Sequence, residues 1–147
     1  MRLLDNDAIN YVLMNDISLE GEYFVTPDVE EEMSVAEIVH KKKAPRQIRS
    51  LALRHRFDEA LYLKNYFDTL NQYGRRSFFG MRGFGDVSIV AAVRTLVQAK
   101  NNGSKTLPLP GIDDGIEVYT GDEYLTKTLR KEFSNNLEIY AKVDLGA

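Results

Sequence analysis

Hydrophobic positions along this chain switch repeatedly between a spacing of two and a spacing of about 3.6 residues, and the switches mark strands and helices in turn. Residues 2–5 (RLLD) form a short strand candidate, followed by a helix to about residue 16. Residues 22–26 (EYFVT) predict a second strand, and Pro27 opens a helix in its first turn, where a missing N–H costs nothing. Pro45 punctuates the next region and predicts a helix to about residue 57. A further helix spans roughly 57–73, ended by Gly74. SFFG (77–80) reads as a short strand, and 86–100 as an apolar helix stopped by NNG. IEVYT (116–120) predicts a strand, 122–134 a helix, and LEIYAKV (137–143) a last strand. The stretch 101–115, NNGSKTLPLPGIDDG, carries turn signals without a period and reads as a long loop. Strands alternating with helices predict an α/β fold, a three-layer α/β/α sandwich around a mainly parallel sheet of four to five strands.

Helical phase then asks where the acids point. At about 100° per residue, Val29, Met33, Ala36 and Val39 define the apolar stripe of the helix from residue 28. Glu32 falls within that stripe, whereas Glu31 points roughly the opposite way. A carboxylate aimed at a core costs several kcal/mol unless paired or bound to metal. Asp86 heads the row Val90, Val93, Val97, and Asp122 heads Leu125, Leu129, Phe133. Asp5 ends an apolar strand. Asp5, Asp86 and Asp122 also stand where helices begin, so each is individually explained as an N-cap. Glu32, inside its helix, is not. Strand ends that lead into helices share one edge of a parallel sheet, the edge where ligands bind, which predicts that Asp5 and Asp122 meet there. The Gly-rich approach GMRGFGD is able to bring Asp86 to the same crevice.

Composition narrows the chemistry. The 147 residues include no Cys and only two His, which excludes thiolate and His-rich metal sites and leaves oxygen ligands for a hard cation such as Mg²⁺ or Mn²⁺. Apolar residues make up 44% and charged ones 28%, ordinary values that, with no internal repeat or linker, predict one domain. Asp5 and Asp7 interrupt the opening where a signal peptide would be apolar, and no apolar run is long enough for a membrane helix, so a soluble cytoplasmic protein is expected. Net charge is −3, unevenly spread. Residues 1–37 hold ten acids and one basic residue, while 41–56 hold seven Lys or Arg and no acid. A solvated helix face explains the basic run as readily as a polyanion does; an acidic centre beside a basic rim suits an enzyme acting on a polyanion.

Four segments in order resemble the PIN domain family, which includes VapC-type toxins and RNA-processing endonucleases. LLDNDAI (3–9) resembles its opening strand. FVTPDVEEEM (24–33) is similar to its second strand and Glu-bearing helix, GDVSIVAAV (85–93) to its Asp-headed helix, and VYTGDEYL (118–125) to its Thr-x-Asp segment. The likeness runs from residue 3 to about 140. It departs at Asp7, where Asn or Ser is usual, in the long interval between Asp86 and Asp122, and at Glu37, a rival to Glu32.

The resemblance implies metal-dependent hydrolysis of a phosphodiester, as an endoribonuclease. Asp5, Glu32, Asp86 and Asp122, with Asp7 as a further candidate, would hold Mg²⁺ or Mn²⁺, and Thr120 would position water or a ligand. Arg75, Arg76, Arg82, Arg46 and Arg49 are candidates for the RNA backbone. Phe78, Phe79 and Phe84 are candidates for base stacking or for the core. The family also implies an RNA substrate, an antitoxin partner if the chain is a toxin, and a homodimer. Two rivals stand beside it. Asp5-Asn6-Asp7 with Thr26 fits a haloacid-dehalogenase-like phosphatase with Asp5 as nucleophile, although Ala8 replaces the expected Gly. A non-cutting PIN-like scaffold for RNA or protein is the other.

Overall fold

A computed structural model describes residues 1–53, 57–78, 85–101 and 115–146, with the side chains of 74–78 outside that set. Its strands are β1 (Arg2–Leu4), β2 (Tyr23–Val25), β3 (Ile48–Ser50), β4 (Ile116–Tyr119) and β5 (Leu137–Tyr140). Its helices are α1 (Asn6–Met14), α2 (Pro27–His40), α3 (Glu59–Phe78), α4 (Gly85–Asn101) and α5 (Glu123–Phe133), with 3₁₀ turns at Leu51–Leu53 and Lys142–Gly146.

The five strands form one all-parallel sheet in the order β3-β2-β1-β4-β5, flanked by helices in the predicted three-layer arrangement. Leu3 is the hub of the register, pairing with Phe24 on one side and Val118 on the other. From β1 the chain steps outward through β2 to β3. It then returns through α3 and α4 to the far side of β1 and steps outward again to β5. The direction reverses between β1 and β4, and a sheet of this kind opens a crevice at the carboxyl ends of those two strands.

Packing follows the apolar pattern. Leu3, Leu4, Val25 and Val118 are wholly buried in the sheet, as a covered parallel sheet requires. Ala8, Ile9, Val12 and Leu13 pack α1 down, and Leu125, Leu129 and Phe133 do the same for α5. In α4 every residue from Val87 to Val93 is inside, so this helix has no wet side through its middle. Arg94 is the polar staple of the layer. Its guanidinium donates to Glu132 at 2.5 Å, to Thr69 at 2.9 Å and to Gln72 at 2.5 Å, joining α3, α4 and α5.

Four expectations need correction. The last strand, expected over 137–143, ends at Tyr140, and Lys142–Gly146 is a 3₁₀ turn. The helix expected from Pro45 to residue 57 is instead β3 and a 3₁₀ turn, because Ile48, Arg49 and Ser50 pair with Tyr23, Phe24 and Val25. Gly74 does not end α3, which runs on to Phe78 and takes in the first half of the strand expected at 77–80. A glycine costs a helix interior only about 1 kcal/mol, which packing against α4 exceeds. Val39 is 68% exposed and does not belong to the core-facing stripe of α2, whose buried members are Val29 and Ala36. The loop expected at 101–115 falls almost wholly outside the described residues. Among the described residues, no helix is long and apolar enough to cross a membrane.

Candidate functional site

A cleft of about 570 Å³ opens at the switch point, lined by Asp5, Asn6, Asp7, Glu32, Gly85, Asp86 and Asp122. The four acids singled out in the sequence, and Asp7, therefore share one concavity. Each arrives from a different element. Asp5 follows β1 and Asp122 follows β4. Glu32 projects from α2, and Asp86 stands in the first turn of α4.

Asp5 is 3% exposed and both of its oxygens are engaged. Oδ1 accepts the amide of Ala8 at 2.8 Å, capping α1, and Oδ2 accepts the hydroxyl of Thr120. The capping role foreseen for it is real, and it does not account for the second bond, which reaches across to the neighbouring strand. Burial pushes the Asp5 carboxyl up to about 6, against the lowering effect of the Thr120 and Ala8 bonds and with the help of the Asp7 and Asp122 charges. Asp122 likewise caps its helix, accepting the Leu125 amide at 3.0 Å, and its own amide donates to Thr120 Oγ1 at 3.0 Å. Thr120 is buried and bonds both acids, so it holds them in place from behind.

Glu32 is half-buried, and burial, then the neighbouring Asp28 charge, raise its pKa against a hydrogen bond from the Gly85 backbone. The backbone of Gly85 comes so near that a Cβ there would stand 2.9 Å from each Glu32 carboxylate oxygen. Glu37 is committed elsewhere: its Oε2 accepts the Ala44 amide at 2.9 Å and it does not line the cleft. Of the two rivals, only Glu32 reaches the concavity.

Asp7 receives Lys142 Nζ at 2.9 Å on Oδ1. Its other oxygen lies against Gly121, where an added Cβ would come within 2.2 Å of it. Lys142 and Gly85 were not foreseen. The run GFGD looks like an ordinary turn, and nothing near Lys142 in sequence announces a partner 135 residues away.

The basic residues are placed differently. Arg49 lies on the edge strand β3 and pairs with Glu22 at 3.3 Å, and Arg46 is exposed just before it; neither lines the cleft. Arg75 and Arg76 fall in the last turns of α3, and their side chains, with Arg82, Phe78, Phe79 and Phe84, lie outside the described residues. Thr26 is wholly buried, caps α2 through Val29 and bonds Ser88 Oγ at 2.5 Å. It does not line the cleft, as the phosphatase alternative would need it to.

The donor set is all oxygen, which suits a hard divalent cation. Among the described residues, no three Asp, Glu or His side chains stand close enough together to hold a metal ion as they are placed. The chemistry of the cleft fits such an ion, and its carboxylates would have to draw inward to share one. Comparisons with protein-family profiles, with curated proteins and with solved structures return no match to this chain, so its likeness to the PIN domain family is carried by the four sequence segments and an α/β/α sheet.

Proposed function

We propose that this chain is a metal-dependent nuclease that hydrolyses a phosphodiester, with RNA as its substrate. The observation that carries the reading is the meeting of Asp5, Glu32, Asp86 and Asp122, from four separate elements, in one cleft at the switch point of a parallel sheet. Carboxylates gathered in one cleft favour a cation among them.

Asp5, Glu32, Asp86 and Asp122 would hold Mg²⁺ or Mn²⁺, with Asp7 withheld by its bond to Lys142. When bound, such an ion lowers the pKa of a water and offsets charge building on the phosphoryl oxygens. The chain itself orients the ligands. Thr120 and the Ala8 amide fix both oxygens of Asp5, so its free lone pairs face a defined direction. The Thr120 oxygen fixes the backbone of Asp122 in turn, and the Gly85 backbone holds Glu32. Asp5 is thereby held in one orientation, and the other carboxylates would draw inward around the ion.

Incubating the protein with total RNA in Mg²⁺ or Mn²⁺, beside Asp5→Asn, tests this directly. The expected result is cleavage by the wild type alone, with matching circular dichroism for the two proteins. Equal cleavage by both would reject the role of Asp5. RNA binding without cleavage would favour the scaffold, and a phosphoaspartate trapped at Asp5 would favour the phosphatase.

A further inference from the structure

Thr120 and Gly121 touch the acidic cleft on one side and line a second groove on the other. On one side, Thr120 bonds Asp5 and Gly121 abuts Asp7, both members of the acidic cleft. On the other, the same two residues line a more open groove of about 520 Å³ between α5 and the end of β5, to which Lys127 and Arg130 contribute. The groove therefore adjoins the cleft through the contacts of Thr120 with Asp5 and of Gly121 with Asp7.

The charge of the groove is opposite to that of the cleft. Lys127 and Arg130 are both exposed, and neither joins an ion pair among the described residues, whereas Lys42, Arg49, Lys64, Arg94 and Lys142 each do. One acid, Glu123, also lines the groove. The chain as a whole carries −3, so a polyanion is drawn only to particular places on it. Lys127 and Arg130 lie three residues apart on α5, about 4.5 Å along its axis. Two exposed cations without ion pairs among the described residues give this groove a positive charge that complements a phosphodiester backbone.

We infer that the groove between α5 and β5 carries the phosphodiester backbone of a polynucleotide, placing an adjoining phosphate at the acidic cleft. The inference rests on the nuclease reading for the direction of the strand, and on Lys127 and Arg130 for its grip. Of the arginines expected to grip RNA, Arg46 and Arg49 line neither cavity, whereas α5 begins at the cleft.

The test compares wild type, Lys127→Ala/Arg130→Ala and the charge-preserving Lys127→Arg/Arg130→Lys. Fluorescence anisotropy in EDTA follows binding of a short labelled oligoribonucleotide and of the matching oligodeoxynucleotide, which separates RNA from DNA as the source of the phosphates. The alanine pair is expected to weaken binding about tenfold and to lower the slope of log K against log salt by about 1.4, roughly 0.7 per lost phosphate contact on a single strand. The exchanged pair should keep the wild-type slope. With Mn²⁺ present, the alanine pair should raise KM for the oligonucleotide while leaving turnover of a nitrophenyl phosphodiester, too short to reach the groove, unchanged. Unaltered affinity and slope in the alanine pair would overturn the inference while leaving a metal-dependent, Asp5-dependent nuclease standing. Wild type that binds neither oligonucleotide would overturn it too. Loss of binding in the alanine pair with no cleavage by wild type would keep the groove and remove the nuclease.

Discussion

The Thr120 hydroxyl donates to Asp5, and the Thr120 oxygen accepts the Asp122 amide at 3.0 Å. One small side chain therefore couples the ends of β1 and β4, the two strands that flank the switch point. Thr120→Val keeps the shape and removes both bonds, leaving a buried carboxylate and an amide short of partners. We expect a loss of about 1–3 kcal/mol in urea unfolding. Because the Thr120 bond lowers the Asp5 pKa, its removal should also move the acid limb of the cleavage pH profile upward. Thr120→Ser should restore both. A valine variant with an unmoved acid limb would deny the coupling.

Asp5 makes a second prediction about pH. Its carboxyl stands at about 6 in the fold, raised by burial first, against 3.8 as the ordinary value. Between those values the folded chain binds more protons than the unfolded one, so stability falls as pH rises through that window. The loss amounts to about 3 kcal/mol for this group. Asp5→Asn cannot titrate there. In EDTA, the stability of wild type minus that of Asp5→Asn should decline from about pH 4 to about pH 6, and a flat difference would contradict the placement.

Gly85→Ala should separate folding from metal binding. The nearest atoms to the added methyl are those of the Glu32 carboxylate, with its oxygens at 2.9 Å, and a flexible tip moves aside cheaply. The expected outcome is a melting temperature close to wild type, with weaker Mn²⁺ binding by calorimetry because Glu32 is displaced. Unchanged Mn²⁺ affinity would remove Glu32 from the ligand set.

Arg94 lies far from any proposed chemistry and should matter only to stability. Its side chain is 13% exposed and faces Glu132, which also accepts the Tyr73 hydroxyl at 3.0 Å. Arg94→Leu leaves that carboxylate without its cation and should cost about 3–5 kcal/mol in urea unfolding. Arg94→Lys should recover only part, since one ammonium cannot span three acceptors in the plane of a guanidinium. Mn²⁺ affinity of the folded variant should match wild type; a large change would show that the network reaches the cleft.

What the sequence made readable follows from the length of each signal. α4 and α5 carry long apolar rows, Val90-Val93-Val97 and Leu125-Leu129-Phe133, and both fold where the rows point. Glu32 was less legible: it lies about 60° from Val29, on the flank of a short row whose buried members are Val29 and Ala36, and it reaches the cleft from there. β3 was not legible. Three residues, of which only Ile48 is buried, hold no period, and their strand exists because β2 offers a ladder to pair with. Val39 misled because it sits about 80° from Val29 in the last turn of α2, on the flank of the stripe. The Lys142–Asp7 pair and the nearness of Gly85 to Glu32 are tertiary facts with no local trace.

The helix with no wet side also constrains how such a chain can change. α4 begins at the cleft with Gly85 and Asp86, and its next residues are gripped all round. One extra residue inserted at Val87 would swing everything before it by about 100° relative to everything after. Either Asp86 would leave the cleft or the interior would lose its fit. New length is affordable only outside that cylinder, so natural variation in chains built this way should gather in the connections and leave the register of this segment untouched.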